Sequence, residues 1–159
     1  MSRLFPHTAY AEDQPLPHVV LATHVLYRGF QAGALVGSLV PLPLMLFRRL
    51  SAPLPTVMLR SAGVGSIVGT SLLTLGLVGR MWGREEIEWR DRSWRLLENK
   101  GQMEVDTWSA IGTVAGGILG SGGWRGRLGG AGLGSLAGVA GYMGWRYGVK
   151  KGKWEEEKL

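Results

Sequence analysis

The 159 residues amount to one domain, with a net charge of +6, 45% apolar residues, 26 glycines and no cysteine. The missing cysteines exclude disulfides, thiolate metal sites, iron–sulfur clusters and a cysteine nucleophile. Glycine at more than twice its average usage of roughly 7%, without a three-residue period and on an apolar background, excludes collagen-like and disordered sequence.

The basic residues flank apolar segments instead of forming one stripe, so the positive charge points to a membrane surface and not to nucleic acid. Residues 1–28 form an amphiphilic N-terminal segment with Pro6, Pro15 and Pro17 and the acidic pair Glu12 and Asp13. That is neither a secretory signal nor an Arg-rich, acid-poor presequence, so any organelle address is expected to be internal.

A bilayer core about 30 Å deep asks for about 20 mostly apolar helical residues, with a lower limit near 17. A mean hydropathy of +0.07 hides four windows that approach this. The first is 29–47, uncharged, with Arg28 before it and Arg48 and Arg49 after it; Pro41 and Pro43 are expected to kink its second half. The second, 61–79, lies between Arg60 and Arg80 and is again free of charge.

The connector from Arg80 to Asp106 carries charges of both signs and places Trp82, Trp89 and Leu96 at seven-residue spacing, with Trp94 nearby. It reads either as an interfacial helix with its aromatics toward membrane or partner, or as a solvated helix with i,i+4 pairs such as Glu88 to Arg92. The third window, 108–124, has Trp108 and Trp124 at its ends, where interfacial anchors sit. The fourth, 128–145, closes with Tyr142, Trp145 and then Arg146, Tyr147 and Lys150, before a charged tail over 149–159. The expected fold is all-α: a four-helix transmembrane domain over 29–148.

Glycines recur every fourth residue in each window: Gly29, Gly33, Gly37; Ser61, Gly65, Gly69; Gly112, Gly116, Gly120; and Gly130, Gly134, Gly138. This spacing puts them on one helix face. Lipid offers no hydrophobic drive for helices to pair, so close backbone approach has to hold them, and small-xxx-small ladders permit it. The ladders pack the four helices on one another or dock the bundle on a larger partner, and both can hold together.

No constellation for chemistry emerges. His7, His18 and His24 lack metal-ligand spacing, and Gly63, Gly65 and Gly69 do not fit the dinucleotide fingerprint. Ser66, Thr70, Ser71 and Thr74 are expected to bond to carbonyls one turn behind. No window holds an ionised residue at its centre, which argues against an autonomous ion carrier. Arg28, Arg60, Arg80, Glu104 and Asp106 read as boundary charges at helix ends, with Asp106 placed as the N-cap of the third helix. The expectation is a protein with no catalytic site, cofactor or metal of its own.

Four glycine-ladder helices, a charged connector and an acidic residue before the third helix together resemble the mitochondrial inner-membrane translocase channel superfamily, the preprotein and amino-acid transporter type. The likeness runs from about Gly29 to Gly148. The resemblance implies an arginine four residues before an aspartate in the connector; here Asp106 matches and Gln102 stands at the arginine position. That departure favours the structural members of the superfamily, among them an accessory subunit in the membrane arm of respiratory complex I. The implied role is a non-catalytic inner-membrane subunit beside larger membrane subunits; the alternative is a translocase or small-solute channel component.

Of the 18 Lys and Arg residues, 13 fall in the N-terminal segment, the connector and the tail, and 5 in the two short loops. The positive-inside rule then puts both termini on the matrix side, and the resemblance implies the opposite. The tryptophans and terminal arginines would suit cardiolipin.

Overall fold

The computed structural model describes residues 5–47 and 52–151. Arg48 and Arg49, and residues 152–159 of the tail, lie outside the described residues. Among the described residues every regular element is helical: a short 3-10 turn at Ala11–Asp13, then α1 (Pro17–Leu39), α2 (Pro41–Leu46), α3 (Leu54–Met81), α4 (Glu86–Glu98), α5 (Lys100–Leu119) and α6 (Gly123–Met143), which runs on through wider π-type turns at Gly144–Val149.

The helices outrun the uncharged windows because charged side chains at a helix end do not stop it. Pro17 opens α1 with its φ already helical, twelve residues before the first window. Val40 stays helical at φ −53° and ψ −39°, so the break before Pro41 is a kink in a continuing rod. Pro41 has no N–H to offer the carbonyl of Gly37, and its ring crowds the preceding turn.

α5 departs most from expectation. It begins at Lys100, where the Asn99 side chain accepts a 3.0 Å hydrogen bond from the Gln102 backbone N–H. Asp106 is therefore not the N-cap; it lies in the helix interior and is fully buried. Glu85 and Glu88 form a reciprocal capping box at the start of α4, which offsets the lack of a Ser or Thr there. Glu88 pairs backward with Arg84 at 3.2 Å and not forward with Arg92.

α1 packs on α3, α5 packs on α6, and α3 crosses α6 to join the two pairs. The N-terminal segment and α4 sit together over one end. Two helical stretches, Pro17–Met45 and Leu54–Met81, are long and apolar enough to cross a membrane, and only 28% and 17% of their apolar windows are buried in the protein. α5 and α6 fall short of that hydropathy because their inner faces are glycine and their ends are charged.

Candidate functional site

Two antiparallel seams of glycine organise the bundle. A methyl group added to Gly29 would stand 2.7 Å from the Gly69 carbonyl oxygen, and Gly33 against Gly65 and Gly37 against Ser61 are closer still. In the second seam Gly112 meets Gly134, Gly116 meets Gly130, Gly120 meets Gly126, and Gly138 meets the Trp108 carbonyl. At these positions only hydrogen fits, so backbone touches backbone.

A third contact lies outside the four-residue spacing. Gly63 and Gly129 abut where α3 crosses α6, and a methyl on Gly132 would lie 2.5 Å from the Ala34 Cβ and 2.9 Å from Ser66 Oγ. α6 thus carries two small-residue faces, one toward α5 and one toward α3 and α1. The only sequence signal for it is that Gly129 and Gly132 flank the ladder in a helix with glycine on nearly every side.

α1 and α5 share no glycine seam, and long polar side chains bridge them. His24, Tyr27, Arg28 and Gln31 fall on one face of α1; Gln102, Asp106, Ser109 and Thr113 fall on one face of α5. Arg28 Nη2 pairs with Asp106 Oδ1, and Gln102 Nε2 donates to the same oxygen at 3.0 Å. His24 Nδ1 stands 3.4 Å from Asp106 Oδ2, and Arg28 Nη1 donates to Gln31 Oε1. One turn along, the Tyr27 hydroxyl meets Thr113 Oγ1 at 2.7 Å and Ser109 Oγ at 3.1 Å. Burial of Asp106 is offset by a guanidinium and an amide that both meet Oδ1, while Oδ2 makes no hydrogen bond and has His24 beside it. The arrangement ties the α1–α3 pair to the α5–α6 pair in one register.

At one end, Trp94 Nε1 donates to the Thr8 carbonyl at 2.9 Å and Arg90 donates to the Glu12 carbonyl. His7 lies 3.3 Å from Glu98, and His18 lies 3.5 Å from Glu86 with its ring 4.2 Å from that of Trp89. Val20, Leu97 and Met103 close an apolar cluster beneath. Trp89 and Trp94 therefore face the N-terminal segment, whereas Trp82 projects outward at 81% exposure. Trp108 leans on Tyr142 and Trp145, Trp124 lies under Arg125, and Arg60 and Arg80 are exposed. Among the described residues no group of three or more His, Asp or Glu side chains could hold a metal ion.

The distribution of side chains is the reverse of a water-soluble core. Ser38, Ser66, Ser109, Ser135, Gln31 and Asp106 are buried, and Val36, Leu72, Leu75, Ile111 and Ile118 are more than half exposed. This defines a helical bundle that is small and polar inside and bulky and apolar outside. The chain belongs to the family described as "Protein of unknown function (DUF1757)", whose model matches residues 7–141, from the N-terminal cap through α6. No curated protein matches it.

Proposed function

We propose that the chain is a multi-pass protein of the mitochondrial inner membrane in which α1 with α2, α3, α5 and α6 each cross the bilayer. It serves as a non-catalytic accessory subunit of a respiratory complex, nearest to the membrane arm of NADH:ubiquinone oxidoreductase. The observation that carries the membrane reading is the outward apolar surface: contiguous exposed apolar area of this extent is unfavourable in water and neutral in lipid. What the interior does supports the scaffold role. The glycine seams and the Arg28–Asp106 tie fix helix positions, and the outer faces of α3 and α5 remain for lipid and larger subunits. The choice of complex rests on the family resemblance of the helix pattern and connector.

The test is native purification of the tagged full chain from membranes, followed by mass spectrometry of its partners. Respiratory subunits at fixed stoichiometry, and loss of the assembled complex on deletion with protein import intact, are expected. Recovery with import machinery instead would overturn the scaffold reading.

A translocase or channel component is the second reading, favoured by the buried Asp106, paired with the part-exposed Arg28, inside the bundle, where carriers place working groups. It requires importing precursors to crosslink to α1 or α5.

A further inference from the structure

A groove of about 620 Å³ runs along the outer side of the α1–α3 seam. Its walls are Val36, Val64, Val68 and Leu72, and its floor is the glycine ladder, which leaves room because it has no side chains. Arg60 and Arg125 both line it at one end, brought there by α3 and by the first turn of α6. Gly122, at φ +85° in the turn before α6, lies near the Arg60 guanidinium. Neither arginine has an ion-pair partner among the described residues, although Arg125 rests over the Trp124 ring at 5.2 Å.

We propose that this groove binds one anionic phospholipid, with its phosphate between Arg60 and Arg125 and an acyl chain lying along Val64, Val68 and Leu72. The proposal rests on the membrane reading above. Three features select the occupant. The groove is apolar everywhere except at the arginine end, which matches a molecule with one charged end and a long apolar tail. At 1.5 Å per residue, the helix from Arg60 to Arg80 spans about 30 Å, the thickness of the hydrocarbon core, so Arg60 falls at headgroup level. From Arg60 to Leu72 the groove descends about 18 Å, slightly more than one leaflet. A peptide would leave its backbone polar groups unpaired on these walls, and a free phosphate would use only the arginine end.

The test uses the full chain in nanodiscs of phosphatidylcholine, with labelled phosphatidylglycerol or cardiolipin as the probe and carbonate extraction run on the same variants. Wild type is expected to hold one anionic lipid about tenfold more tightly than phosphatidylcholine, with no displacement by inorganic phosphate. R60Q/R125Q should abolish the preference, R60K/R125K should keep it within about threefold, and V68W should block the chain while keeping both charges. If R60Q/R125Q lowers helix content, V68W alone decides, since Val68 is half exposed. An unchanged preference in V68W, or displacement by phosphate, overturns the site. Full membrane retention of the wild type with no anionic preference overturns the lipid site alone, whereas release of the wild type by carbonate overturns the membrane reading as well.

Discussion

Arg28 of α1 closes on Asp106 of α5 across 78 positions of sequence, and this pair adds a polar tie between two helix pairs that otherwise meet where α3 and α1 pack on α6. Removing Arg28 strands the buried Asp106 carboxylate, whereas Arg28, about a quarter exposed, keeps contact with its surroundings when Asp106 is removed. Arg28→Gln should cost about 3–5 kcal/mol and Asp106→Ala less, whereas the double replacement Arg28→Met with Asp106→Leu should recover most of the larger loss. Thermal unfolding of the detergent-solubilised full chain checks it. Equal loss in the double variant would mean that packing, and not charge, holds this contact.

The two kinds of glycine separate packing from propensity. Gly33→Leu and Gly116→Leu place a side chain against backbone in seams that admit only hydrogen, so each should cost about 3 kcal/mol or more and scatter the bundle on size-exclusion chromatography. Gly76 and Gly79 lie on α3 with nothing within 4 Å of an added methyl, so Gly76→Ala should gain about 0.5–1 kcal/mol of helix stability. Similar outcomes at the two sites would remove the case for backbone contact.

Outward apolar residues decide the solvent. Leu72 is 61% exposed and lies near the middle of the stretch between Arg60 and Arg80. Leu72→Lys should disfavour insertion by about 2.5–3.5 kcal/mol and raise the carbonate-extractable fraction. A protein that lived in water would gain solubility from the same change and keep its fold, which is the result that would count against a membrane location.

The glycine ladders are legible in the amino-acid sequence because a four-residue period places small residues on one helix face whatever the neighbours are. The same period is silent on the partner of Asp106. An ion pair between residues so far apart leaves no local signature, and by local pattern the charges around 104–106 mark the edge of a helix. Paired with Arg28 and hydrogen-bonded by Gln102, Asp106 sits inside one. The seven-residue spacing of Trp82, Trp89 and Leu96 misleads for a related reason. α3 ends at Met81 and α4 begins at Glu86, with Gly83 at φ +68° between them, so Trp82 stands outside the helix that puts Trp89 and Leu96 on one face. Gly129 and Gly132 carry no distinguishing pattern, because in a helix this rich in glycine no single face stands out.

The N-terminal segment is held by few bonds, and Trp94 makes the most specific of them. Its Nε1–H donates to the Thr8 carbonyl, and its ring stacks on His7 at 5.9 Å between centroids. Trp94→Phe keeps an aromatic ring and removes the donor, so it should cost about 0.5–1.5 kcal/mol. That is enough to free the segment locally without disturbing the bundle beneath, because the glycine seams and the Arg28–Asp106 tie do not pass through it. Hydrogen exchange should then rise over residues 7–14 and along α4 while α5 and α6 stay protected. Exchange that rises equally in α6 would mean that the cap and the bundle open as one unit.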